Sequence, residues 1–157
     1  MKPRVYLETT IISYLVARPS RDLVMAAYQQ ITQDWWQLHR NNFELFISEL
    51  VMTEASAGDK QAAKNRLQLL KTLDLLVLNE EAVILAQEFV KKNVIPVNVV
   101  EDALHIALAT VQGMDYLLTW NFKHLANGVT RHKIEQLCRL AGYEPPIICS
   151  PQELLEE

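Results

Sequence analysis

The sequence contains only two cysteines, Cys138 and Cys149, far apart and without CxxC spacing, which excludes a disulfide framework and a cysteine-built zinc knuckle. Both read as buried, inert thiols. Four glycines in 157 residues, scattered near segment ends, leave no composition for a flexible linker, and no internal repeat or low-complexity tract is present. No apolar run approaches the ~18 uncharged residues of a membrane span. Met1-Lys2-Pro3-Arg4 leads into a strand-like run instead of a signal-peptide core, so the expectation is a cytoplasmic protein with no membrane partner. Positive charge is also scarce. Fifteen Lys and Arg stand against nineteen Asp and Glu, a net charge of −4. That excludes a broad basic surface gripping nucleic acid through many phosphates. Any such contact must be local, or assisted by metal ions.

What is present is the ordinary balance of a folded protein, with half the residues apolar, and a length that suits one domain over residues 1–157. Short β-rich runs cover 4–7, 43–47, 73–78, 116–120 and 146–149, and helical patterns alternate with them. This alternation predicts an α/β fold with a parallel sheet and helices on both faces. Thr9 or Thr10 is expected to cap a helix through Val16, and Ser48 one that ends near Gly58. A helix from Ser20 to about His39 carries an expected core stripe of Val24, Tyr28, Ile31, Trp35 and Leu38. Further helical patterns cover 60–72, 80–92 and 130–142, and Pro151 stands where a short final helix would start. Asn98 and Glu101 have capping-box spacing at the start of a very apolar helix that ends at Gly113.

Three acids sit where a solvated acid has no reason to be. Glu8 closes the first strand, at the carboxyl end where open α/β sheets bind ligands, although a strand-end charge can simply be solvated. Glu54 shares a helix face with Leu50, Val51, Ala55 and Gly58, so it faces inward and needs a partner, either a metal or a buried arginine. Asp102 lies on the stripe of Val99, Ile106 and Ala109; its neighbour Glu101 points about 100° away and is explained as a cap. Carboxylates converging on one cleft repel unless a cation binds, and such hard oxygen ligands suit Mg2+ or Mn2+. A site of that kind makes hydroxide from water and stabilises in-line attack on a phosphodiester.

The runs Val5-Tyr6-Leu7-Glu8-Thr9-Thr10-Ile11-Ile12, Ser48-Glu49-Leu50 with Glu54, Glu101-Asp102-Ala103-Leu104-His105-Ile106-Ala107 and Leu117-Leu118-Thr119-Trp120-Asn121 resemble, in order and spacing, the four motifs of PIN-domain nucleases. The likeness extends to the VapC-like toxins of bacterial toxin–antitoxin pairs. It implies a three-layer α/β/α domain with a central parallel sheet, a magnesium site in the cleft at its carboxyl edge, and cleavage of RNA phosphodiesters. A homodimer and a cognate antitoxin partner are implied as well. Carried over by position, Glu8, Glu54 and Asp102 match the acidic metal ligands, Asn121 the fourth acid, and Thr10 and Thr119 the small hydroxyl residues beside them. Two departures stand out: Glu8 is one methylene longer than the usual aspartate, and Asn121 brings no charge.

His105 is expected to pair with Glu101 one turn earlier instead of acting as a zinc ligand or base. Lys123, His124, Arg131, His132 and Lys133 form the most basic stretch. They either steer a phosphate backbone toward the cleft or make a solvated helix face. Trp36, off the stripe of its helix, is a dimer or antitoxin contact or a second core facet, and Trp120 is expected to pack. Two other functions compete with an RNA-cleaving toxin: a structure-selective DNA nuclease, and an RNA-binding or protein-interaction module with a weakened site.

Overall fold

The computed structural model describes residues 1–155 and forms a five-stranded, all-parallel sheet in the order β3-β2-β1-β4-β5. The strands are β1 (Arg4–Leu7), β2 (Glu44–Ser48), β3 (Asp74–Leu76), β4 (Tyr116–Leu118) and β5 (Ile147–Cys149). β1 is central, because Val5, Tyr6 and Leu7 are apolar on both faces of the pleat and only a doubly covered strand can bury such a run. From β1 the chain steps outward to β2 and β3, then crosses back to β4 and β5 on the other side. The strand order therefore reverses between β1 and β4, and the crevice beyond their carboxyl ends is where an open α/β sheet offers a site.

Seven α-helices among the described residues cover the sheet. α1 (Thr9–Val16), α2 (Leu23–His39), α3 (Glu49–Ala55) and α4 (Lys60–Leu70) form one packed group. α5 (Glu80–Lys91), α6 (Val100–Val111) and α7 (Gly128–Leu140) form another. Helix starts follow the expected chemistry in several places: the side chains of Asp22, Ser48, Asp59, Asn79 and Asn127 each accept a backbone N–H of the first turn. Ser150 and Glu153 form a full capping box on the short 3-10 turn Pro151–Leu154. Gly113 takes φ of 75°, a conformation that costs glycine nothing, and so turns the chain from α6 into β4.

Three expectations fail for physical reasons. Val97–Val99 winds as a 3-10 turn, so α6 begins one residue later with Val99 at its cap, and Asn98 makes no capping box with Glu101. Neither Thr9 nor Thr10 caps α1; Glu8 holds the cap position and both threonine hydroxyls turn to carboxylates instead. On α2 the buried side chains are Gln29, Thr32 and Trp35, while Val24 and Leu38 are exposed. Trp35, Tyr28 and Ile31 of the expected stripe do pack into or against the core, and polar Thr32 joins them, because the indole N–H of Trp120 needs an acceptor and Thr32 Oγ1 supplies it at 2.7 Å. Cys138 and Cys149 are buried and free, and burial pushes their thiols up to about 11 and about 12.

Candidate active site

The carboxyl ends of β1 and β4 place Glu8 and Thr119 side by side. Glu8 continues the ladder of β1, its N–H donating to Leu118 O at 3.0 Å, and its side chain is buried at 5% exposure. Burial of a carboxylate demands donors, and two hydroxyls supply them to one oxygen. Thr10 Oγ1 donates to Glu8 Oε1 at 2.5 Å and Thr119 Oγ1 to the same oxygen at 2.6 Å. Each hydroxyl is itself fixed by a backbone N–H, that of Trp120 for Thr10 and that of Asn121 for Thr119, both at 2.9 Å. Among the described residues nothing donates to Glu8 Oε2.

Glu54 projects from α3 toward α1 and α6. Its Oε1 accepts from Thr9 Oγ1 at 2.5 Å and from His105 Nε2 at 2.7 Å, and its Oε2 has no protein donor among the described residues. With 35% of its side chain exposed, Glu54 is half-buried, less than an inward-facing acid was expected to be. Asp102 is half-buried too, and neither of its oxygens has a protein donor among the described residues.

Electrostatics ties the acids together. Burial pushes the Asp102 carboxyl above its usual range, the charges of His105 and His124 pull the other way, and those of Glu8 and Glu54 add to the rise. Glu54 moves downward: burial opposes ionisation, but the hydrogen bond and charge of His105, with the Thr9 hydroxyl, outweigh it. His105 moves upward although burial disfavours its cation, because the bond and charge of Glu54 prevail, with Glu8 and Asp102 adding.

His105 does not pair with Glu101, which is exposed. It is fully buried, with Tyr6 Oη 2.6 Å from Nδ1 and Glu54 at Nε2. One ligand atom each from Glu8, Glu54 and His105 lie within 4.8 Å of one another. Sequence reasoning missed His105 and, behind it, Tyr6 and Ser48. The signals were there: a histidine three residues after Asp102 on a helix apolar nearly all round, and a tyrosine between Val5 and Leu7 on a doubly buried strand.

Asn121 sits just past Thr119, but its side-chain oxygen accepts the His124 N–H at 3.1 Å, and its backbone carbonyl accepts from Leu125 and Ala126. It thus also organises the turn after β4. In the basic stretch Lys123 and Lys133 are exposed and His124 is half-buried, within electrostatic reach of Asp102. Arg131 is tied down, its guanidinium donating to Ile148 O at 2.9 Å and so pinning α7 to β5. Trp36 is half-buried under the Arg40 guanidinium, and Trp120 packs in a stack on Tyr28 with 4.3 Å between ring centroids.

The donor set fits a hard divalent cation. Of the three acids, Glu8 and Glu54 come together with His105, while Asp102 lies outside that cluster and is linked to it through charge; each acid keeps at least one oxygen that no protein group among the described residues occupies. Residues 5–125 match the family model described as PIN domain. Among solved structures, a chain in the crystal structure of VapBC2 from Rickettsia felis, bound to a DNA fragment from its promoter, aligns with a TM-score of 0.59. The two are 17% identical, over 93% of this chain and 97% of that one, which is a likeness of fold. No curated protein matches the sequence.

Proposed function

The chain belongs to the PIN-domain family, and from that premise we propose that it is a divalent-metal-dependent endoribonuclease, the toxin of a toxin–antitoxin pair. The observation that carries this reading is the convergence of Glu8 and Glu54, each with a free carboxylate oxygen, with the Asp102 carboxylate, also free, in electrostatic reach of both. These three would hold Mg2+ or Mn2+. Such an ion, when bound, supplies a hydroxide near neutral pH and offsets the charge that develops on the phosphate. Thr10 and Thr119 keep Glu8 oriented. The Asn121 amide NH2 has no protein acceptor among the described residues and can donate to a phosphate oxygen or a water. Lys123 and Lys133 provide local positive charge on a chain of net negative charge and, with His124, steer the RNA backbone.

The toxin assignment is supported by the fold likeness to the VapBC2 chain and by the small size of the domain. An antitoxin partner and a homodimer belong to the same reading. Leu23, Val24 and Met25 at the start of α2 are exposed apolar side chains available for such contacts. Light scattering at micromolar concentration is expected to give a dimer mass, and a monomer would count against that part.

The deciding experiment offers RNA and DNA side by side to the purified chain with Mg2+ or Mn2+. RNA cleavage that Asp102→Asn abolishes is expected. Cleavage untouched by that substitution overturns the assignment, and cleavage of branched DNA alone makes the chain a structure-selective DNA nuclease. Tight RNA binding with no cleavage at millimolar metal makes it a binding module instead. Growth arrest on expression, relieved by the product of an adjacent small gene, tests the toxin role.

A further inference from the structure

Behind the carboxylates runs a buried chain of hydrogen bonds that none of the acids' own chemistry requires. Val51 N–H donates to Ser48 Oγ at 3.4 Å, Ser48 Oγ lies 2.7 Å from Tyr6 Oη, Tyr6 Oη lies 2.6 Å from His105 Nδ1, and His105 Nε2 lies 2.7 Å from Glu54 Oε1. Ser48, Tyr6 and His105 are each 0% exposed. An ionised carboxylate only accepts, so Nε2 must carry the hydrogen. Ser48 already accepts from Val51, and among the described residues its own hydroxyl has a single acceptor, Tyr6 Oη. In the neutral ring Tyr6 therefore donates its O–H to Nδ1, which holds the imidazole in the tautomer that donates to Glu54.

We infer that His105 is a positioning residue for the metal site. Held by Tyr6 and Ser48, and together with Thr9, it occupies Glu54 Oε1 so that Glu54 offers a divalent cation Oε2 alone. The inference rests on the metal-nuclease reading above and deepens it. Two donors on one oxygen turn a flexible, potentially two-oxygen ligand into a single-oxygen ligand of set direction. Mg2+ requires near-octahedral geometry and is sensitive to that difference. Removing such supporting partners typically costs about 10–100-fold in metal affinity.

The test is Mn2+ binding by calorimetry on the full chain, beside thermal unfolding to confirm folding. His105→Leu, which lacks a donor, is expected to weaken Mn2+ at least tenfold. His105→Gln, whose amide can donate from nearly the position of Nε2, is expected to stay within about threefold of wild type. Tyr6→Phe, which frees the tautomer, should fall between them. A folded His105→Leu that binds as wild type does overturns the inference. So does a folded His105→Gln as weak as the leucine variant, since the imidazole nitrogen would then itself be the ligand. Pulsed electron paramagnetic resonance of Mn2+-loaded wild type needs no variant: no directly bound nitrogen is expected, and its detection also overturns the inference. Wild type that fails to bind Mn2+ at all is a different failure, that of the metal-nuclease reading.

Discussion

Thr119 Oγ1 reaches Glu8 Oε1 at 2.6 Å, joining the ends of two paired strands whose residues lie 111 positions apart. The bond fixes the more buried of the acids across the point where the strand order reverses. Thr119→Val keeps the shape and removes the donor from a buried carboxylate, which should cost about 1–3 kcal/mol of stability. Mn2+ affinity and RNA cleavage should fall with it. Thr119→Ser, which keeps the hydroxyl, should restore both, and urea unfolding beside calorimetry checks the pair.

The His105–Glu54 pair predicts how stability depends on pH in the metal-free protein. Glu54 is lowered from its ordinary 4.5, so its contribution is present above 4.5 and is lost as pH falls through the lowered folded value. His105 is raised from 6.5, so its contribution is complete below 6.5 and is lost as pH rises through the raised folded value. The pair therefore stabilises most between those two ordinary values. Asp102, raised from 3.8, adds a further loss on ionisation as pH increases. Urea unfolding in a chelator across this range should show the decline on the alkaline side, and His105→Gln should flatten it.

Asn121 is where charge and geometry can be separated. Its Oδ1 accepts the His124 N–H, and an aspartate oxygen would do so equally well, so Asn121→Asp should fold normally. The added charge should tighten Mn2+ binding if residue 121 lies within reach of the ion. Unchanged affinity on calorimetry would assign Asn121 to the turn alone.

The basic stretch divides into two kinds of residue. Arg131 spends its guanidinium on Ile148 O, so Arg131→Ala should lower the melting temperature. Lys123 and Lys133 make no hydrogen bond among the described residues, and replacing both with alanine should weaken RNA binding and its salt dependence without lowering stability. Fluorescence anisotropy at two salt concentrations, beside thermal melts, distinguishes them.

Thr32 is buried and accepts the Trp120 indole N–H at 2.7 Å. Thr32→Val strands that donor and should cost about 1–3 kcal/mol, with a fall in melting temperature of about 2–4 °C per kcal/mol. Metal affinity should be unchanged, because the Thr32 hydroxyl bonds to Tyr28 O and the Trp120 indole and to none of the acids or their hydroxyl donors.

Local patterns in the sequence were enough for the strands, the cap at Ser48, the short helical turn that starts at Pro151 and the class of fold, because each depends on periodicity or on a single strand or helix end. Glu8 was legible as the residue that closes a fully apolar strand, and Glu54 as an acid on an inward face. What local pattern cannot carry is pairing between distant residues. His105 has Glu101 one turn away in sequence, yet it turns to Glu54, because α6 packs with that face toward α3 and β1 and leaves Glu101 in solvent. Thr32 enters the core because a tryptophan from beyond β4 arrives needing an acceptor. Arg131 leaves the candidate RNA face because Ile148 offers it a carbonyl on the edge strand. In each case the residue's type was fixed by sequence, but its partner was chosen by tertiary packing, since burying a donor or acceptor unpaired is costly and the group bonds to what the fold brings within reach.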